Sequence, residues 1–109
     1  MRILLNECVN PRVRQAFPDD EMLTVAEAKS RTLPDAKLIA QARGHFDVFV
    51  TIDKGFEFEV NLKTLTFGIV IVDVRKNRIE YYRPIFPALL DTVRRIRAGE
   101  VVHVTAPSV

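Results

Sequence analysis

The sequence predicts a single α/β domain, spanning residues 1–109, built on a parallel sheet of about five strands with helices on both faces. Three observations carry this prediction. Ile3-Leu4-Leu5, Val48-Phe49-Val50 and Phe67-Gly68-Ile69-Val70-Ile71-Val72 are apolar runs without polar alternation, as suits strands covered on both sides. Segments with helical spacing fall between them, in the order βαβαβ and then βαβ, with no internal repeat. At 109 residues, 48% hydrophobic and 28% charged, the chain has material for one globular core and little room for a second.

The elements follow in order. After the first strand, Asn10-Pro11 offers a cap with proline in the first helical turn. Val13, Ala16 and Phe17 then supply one face of a short helix that Pro18-Asp19-Asp20 ends. Met22 to Val25 reads as a short second strand, and Ala26 to Leu33 as a polar loop with a partial helical turn. Thr32-Leu33-Pro34-Asp35 has the form of a capping box with Asp in place of Glu. Leu38, Ile39 and Ala42 repeat at helical spacing before Gly44. Val48, Phe49, Val50 and Ile52 give the third strand. Lys54 to Glu59 alternates aromatic and acidic residues, which fits a strand or a loop with a helical turn equally well. Phe67 to Val72 is the fourth strand, and Arg75-Lys76-Asn77 a turn. Ile85, Phe86, Leu89, Leu90, Val93 and Ile96 mark the longest amphipathic helix, with Gly99 as its expected C-terminal cap. Val101 to Val104 forms the last strand.

Charge excludes little by amount and more by place. Lys plus Arg is 16 against 14 for Asp plus Glu, a net of +2, too mild to argue for nucleic acid alone. Seven basic residues nevertheless fall between Arg75 and Arg97, against only Glu80 and Asp91. A solvated helix face or a phosphate-contacting surface both fit that stretch. Cys8 is the lone cysteine, so an internal disulfide is impossible. The start of the chain lacks the pattern of a signal peptide, and no apolar run is long enough to span a bilayer. A cytoplasmic protein with no membrane association is the expectation.

Candidate chemistry gathers where apolar runs meet acids. The first run stops on Asn6-Glu7 and the third on Asp53, and ligands of open parallel sheets bind beyond the carboxyl ends of the strands. Asp35, in the first turn of the middle helix, could start over the same edge. Mg²⁺ or Mn²⁺ accepts such oxygen ligands and keeps several waters, so one to three carboxylates suffice. Each acid also has a purely structural use. Asp35 would favour a helix dipole, Asp53 could close a turn on its own backbone, and Glu7 could be solvated beside Arg12 or Arg14. His45 and His103 are isolated and do not make a zinc site. Phe56 and Phe58 could stack bases, with core packing or an oligomer interface as the commoner use. A phosphoacceptor domain would pair Asp53 with a Lys after a later strand, and none directly follows Val72 or comes after Val104.

Leu4-Leu5-Asn6-Glu7-Cys8-Val9, Asp35 with Leu38-Ile39, and Val48-Phe49-Val50-Thr51-Ile52-Asp53 together resemble the small PIN-like proteins of the DUF5615 family. The later Phe67–Val72 strand, the helix around Pro87-Ala88-Leu89-Leu90 and Gly99-Glu100-Val101-Val102 extend the resemblance over nearly the whole chain. It implies a PIN-like domain related to nucleases, including toxin components of toxin–antitoxin pairs. By that resemblance Glu7, Asp35 and Asp53 are the catalytic acids, holding Mg or Mn together with Asn6. Asn6 stands where the family usually has Asp. Gly55 and Lys37 stand where further acids occur in some relatives. An Asn carbonyl can ligate a cation but brings no negative charge.

The expectation is therefore a metal-dependent ribonuclease, with Arg75, Lys76 and Arg78 holding the RNA strand. The alternative is a catalytically degenerate PIN-like module that binds RNA or a partner protein. An antitoxin-like protein is the implied partner, and a homodimer the implied assembly.

Overall fold

The computed structural model describes residues 1–24, 46–58 and 61–105, with the backbone alone at positions 57 and 62. Strand β1 (Arg2–Leu5) leads into a 3-10 helix (Pro11–Ala16) and β2 (Glu21–Thr24). Strand β3 (Val48–Thr51) is followed by two 3-10 turns (Phe56–Phe58 and Leu62–Thr64) and β4 (Gly68–Asp73). Then come α1 (Ile79–Tyr82), a 3-10 turn (Arg83–Ile85), α2 (Phe86–Arg95) and β5 (Val101–Thr105). All pairings are parallel, in the order β2-β1-β3-β4-β5. A single small α/β domain with a five-stranded parallel sheet is thus the architecture. The expected middle helix, with Asp35, Leu38, Ile39, Ala42 and Gly44, lies outside the described residues, as does His45.

The continuous apolar runs are buried from both sides. Ile3, Leu5, Val48, Val50, Val70 and Val72 meet Val13, Phe17, Ile79, Ile85, Leu89 and Val93 on one face. Leu4, Phe49, Ile69 and Ile71 meet Phe56, Leu65 and Phe67 on the other. Each fully buried aliphatic of this kind contributes roughly 1.5–3 kcal/mol. Phe49 and Phe56 add a tilted ring pair with centroids 4.9 Å apart. No helix among the described residues is long and apolar enough to cross a membrane.

Three local details differ from expectation. The first helix is 3-10 rather than α, started by Asn10, whose Oδ1 accepts from the Arg12 N–H at 3.0 Å. Pro11 follows the cap as anticipated and opens a helix only six residues long, the short length at which the tighter form is common. The longest helix ends at Arg95, and Ile96 is already extended. Gly99, at φ +83, therefore does not cap the helix. It supplies a left-handed residue for the turn into β5, where the Glu100 N–H donates to the Arg97 carbonyl.

The connections set up the functional edge. The β3-to-β4 connection crosses the Phe56 face, while β4-to-β5 crosses the Leu89 face. Both steps move the same way along the sheet, so they have opposite hands, and one departs from the right-handed rule. The β1-to-β2 connection moves the other way over the Leu89 face and shares its hand with β3-to-β4. Among the three connections with described residues, β4-to-β5 is therefore the one of opposite hand. Its consequence is local: α1 and α2 pack beside the first 3-10 helix, so the loop after β4 meets the loop after β1.

Gly68 opens β4 against the turn after α2. A Cβ there would lie 2.7 Å from Ile96 Cγ1 and 3.0 Å from the Arg97 carbonyl. Since the backbone at Arg97 cannot rotate away, Gly68→Ala should destabilise the fold by about 1–3 kcal/mol, read as a lower urea midpoint with unchanged slope.

Candidate functional site

The strand order reverses between β1 and β3, and the site is built at their carboxyl ends. Thr51, the last residue of β3, is 0% exposed. Its hydroxyl accepts from Asn6 Nδ2 at 3.1 Å and from the Asp53 N–H at 3.1 Å. Cys8 Sγ lies 3.5 Å away. A hydroxyl has two lone pairs and one proton, so two accepted bonds direct that proton to the Cys8 sulfur. Three residues from the two central strands' ends are thereby fastened to one oxygen. The Asn6 N–H also donates to the Val50 carbonyl at 2.9 Å, extending the sheet pairing past β1.

The sequence-predicted residues fall into three groups. Asn6 and Asp53 come together on Thr51, Asn6 half-buried and Asp53 exposed. Asp53 Oδ1 accepts from the Gly55 N–H at 3.0 Å, so the structural turn expected of this residue does form. Glu7 is exposed beside Asn6 on the same loop. Asp35 lies outside the described residues. Among the described residues no group of three His, Cys, Asp or Glu side chains gathers closely enough to hold a metal ion.

The basic stretch does not form one surface. Arg75, Lys76 and Arg78 are exposed in the loop after β4, at the carboxyl edge. Arg94 and Arg95 occupy the last turn of α2, where cations suit the helix dipole, and Arg95 pairs with Asp91 at 3.0 Å. A crossover helix runs back towards the strands' amino ends, so these two arginines sit at the opposite edge.

Two features were not anticipated from the sequence. Asp73 ends β4, half-exposed, and its Oδ1 accepts an ion pair from Lys54 Nζ at 3.0 Å. The rule that singled out Asp53, an acid closing an apolar run, applies equally to Asp73. The second feature is a polar clasp. The Tyr82 hydroxyl donates to Asn77 Oδ1 at 2.6 Å, and Asn77 Nδ2 donates to the Cys8 carbonyl at 2.7 Å. The Asn10 N–H reaches the Tyr82 oxygen at 3.5 Å. The clasp holds the loop carrying Asn6, Glu7 and Cys8 against the loop carrying the three cations. Nothing in the local sequence pairs residues so far apart, apart from a tyrosine at an otherwise apolar helix position.

Burial raises the Tyr82 phenol above its ordinary 10.0, with the nearby Cys8 adding to the rise and the Asn10 hydrogen bond opposing it. No family model, curated protein or solved structure matches this chain. The chemistry of the edge therefore rests on its own residues.

Two predictions concern this wiring. Thr51→Val keeps the shape but strands the Asn6 amide and the Asp53 N–H, at a cost of about 1–3 kcal/mol. Thr51→Ser keeps the hydroxyl and loses one methyl, costing about 1 kcal/mol. The valine variant should thus show the lower denaturation midpoint, although it preserves more volume. For Tyr82, the raised folded value keeps the proton on in the native state. Its contribution is complete below the ordinary value near 10 and fades as pH rises from there through the raised one. Tyr82→Phe should flatten the alkaline loss of stability, measured as melting temperature against pH.

Proposed function

We propose that the chain is a PIN-like, divalent-metal-dependent ribonuclease working from the crevice between the ends of β1 and β3. The observation that carries this reading is the fastening of Asn6 and Asp53, from two different strands, to the single buried Thr51 hydroxyl at the point where the strand order reverses. The donor set suits a hard cation. Asp53 Oδ2, the Glu7 carboxylate and the Asn6 carbonyl are oxygen ligands, and one or two carboxylates are enough for Mg²⁺ or Mn²⁺. Asp35 joins them as the ligand that the family resemblance implies. A bound ion would supply Lewis acidity for phosphodiester hydrolysis.

The chain's own residues divide the remaining work. Thr51 fixes Asn6 by accepting one of its amide protons, which leaves the amide oxygen as the group to offer a cation. The Asx turn at Asp53 orients that carboxylate. Arg75, Lys76 and Arg78 offer cationic contacts for RNA phosphates at the same edge.

One observation favours a second reading, a degenerate PIN-like module that binds RNA or a partner protein, such as an antitoxin-like chain or a second copy of itself. The negative charge of the edge is reduced, because Asn6 is neutral and Lys54 lies 3.0 Å from Asp73. Cleavage of single-stranded RNA with Mg²⁺ or Mn²⁺ separates the two. Under the nuclease reading, wild type cuts, Asp53→Asn lowers the rate about hundredfold, and Asn6→Asp tightens Mn²⁺ binding about tenfold or more. Equal cutting by wild type and Asp53→Asn, in preparations free of contaminating nuclease, would retire the assignment of Asp53. Silence from wild type with activity in Asn6→Asp would instead favour the degenerate module.

A further inference from the structure

We infer that Phe58 is a stacking platform for a base of single-stranded nucleic acid drawn across the carboxyl edge, an inference that rests on the RNA-handling reading above. Phe56 and Phe58 belong to one 3-10 turn and have opposite fates: Phe56 is 0% exposed against Phe49, while Phe58 is 84% exposed. Among the described residues, only Met1 and Phe58 are large hydrophobics left exposed, and Met1 is a chain end. The exposure of Phe58 is held in place by the backbone. The Phe56 N–H donates to the Asp53 carbonyl at 3.2 Å and the Phe58 N–H to the Gly55 carbonyl at 3.1 Å. This three-residue turn begins three positions after Asp53, on the same connection.

The surroundings select the partner. The Lys54–Asp73 ion pair, at 3.0 Å, docks the Asp53–Phe58 segment beside the end of β4. The loop that follows β4 carries Arg75, Lys76 and Arg78, all exposed, and no described carboxylate pairs with them. An aromatic face and a row of exposed cations, without an ion-pair partner among the described residues, on adjoining loops match the two parts of a single strand, its bases and its phosphates. Duplex bases are already stacked and would not offer a face to such a ring. A purely apolar protein surface would gain from Phe58 but would leave the three cations without a counterpart.

The chain contains no tryptophan, so Phe58→Trp installs a sole fluorophore at the proposed contact. Short oligouridine and oligothymidine serve as probes, with binding followed independently by anisotropy of a labelled strand. We expect the indole emission to be quenched as either strand saturates the protein. Phe58→Ala should weaken binding about tenfold, and Phe58→Trp should restore it. Preference for the RNA strand would add a contact to the 2′-hydroxyl, and equal quenching would make the contact one of bases alone; both support stacking. Binding that leaves the indole signal unmoved, or that Phe58→Ala does not weaken, overturns the inference while leaving the RNA-handling reading intact. No binding by wild type overturns both. Quenching by a chain that cuts nothing supports the inference and removes the hydrolytic reading. A change in sedimentation of Phe58→Ala, with strand binding intact, would assign the ring to a contact between copies instead.

Discussion

A hydroxyl sealed from water must find its partners inside the protein, and the Thr51 hydroxyl finds them in Asn6, Cys8 and the backbone of Asp53. The constraint works in both directions. Thr51 can be buried only because those groups converge on it, and they converge only because β1 and β3 are neighbours in parallel register, with Leu5 beside Val50. In a sheet that reversed its order elsewhere, the residues following β1 and β3 would open into separate crevices. The same pairing places the Asn6 N–H on the Val50 carbonyl, so the loop after β1 begins as a continuation of the sheet. Asn6 and Asp53 are thus tied to the centre of the sheet as well as to the loops that carry them.

Around that centre the carboxyl edge has mixed sign. Glu7, Asp53 and Asp73 bring negative charge; Lys54, Arg75, Lys76 and Arg78 bring positive. The Lys54–Asp73 pair is solvent-exposed and adds little stability, so its effect is chiefly one of placement and charge balance. The clasp of buried Tyr82, exposed Asn77 and the Cys8 carbonyl serves a related end, tying the loop after β4 to the loop after β1. It exists because the β4-to-β5 connection crosses the Leu89 face, which brings α1 against the first 3-10 helix. Acids and cations that lie far apart in sequence are in this way held on adjoining loops.

The sheet was legible in the sequence because burial on both faces removes the alternation that would otherwise blur a strand. Ile3-Leu4-Leu5 and Gly68 to Val72 have no polar residue to misplace. Asn10-Pro11 was legible as a helix start because cap and proline act within a few residues. Gly99 misled, since a glycine after an amphipathic run signals a cap or a later turn equally well, and only the extended Ile96 decides. Asn6 and Asp53 could be paired from strand-end logic, whereas Thr51 at their junction could not, being one more β-branched residue in a strand. Asp73 was within reach of that same logic. The Tyr82–Asn77–Cys8 clasp was not, because it depends on which face a connection crosses, and apolar periodicity carries no record of that choice.

The proposed nuclease site requires a divalent ion at the carboxyl ends of β1 and β3. The most direct measurement is a titration of the isotopically labelled protein with substoichiometric Mn²⁺, followed by paramagnetic broadening of its amide resonances. An ion held in that crevice would give broadening centred on Asn6, Glu7 and Asp53 and decaying towards Asp73, with the amino-terminal edge of the sheet untouched. Broadening centred on another part of the molecule, or none at all while the fold is intact, would contradict the proposed site.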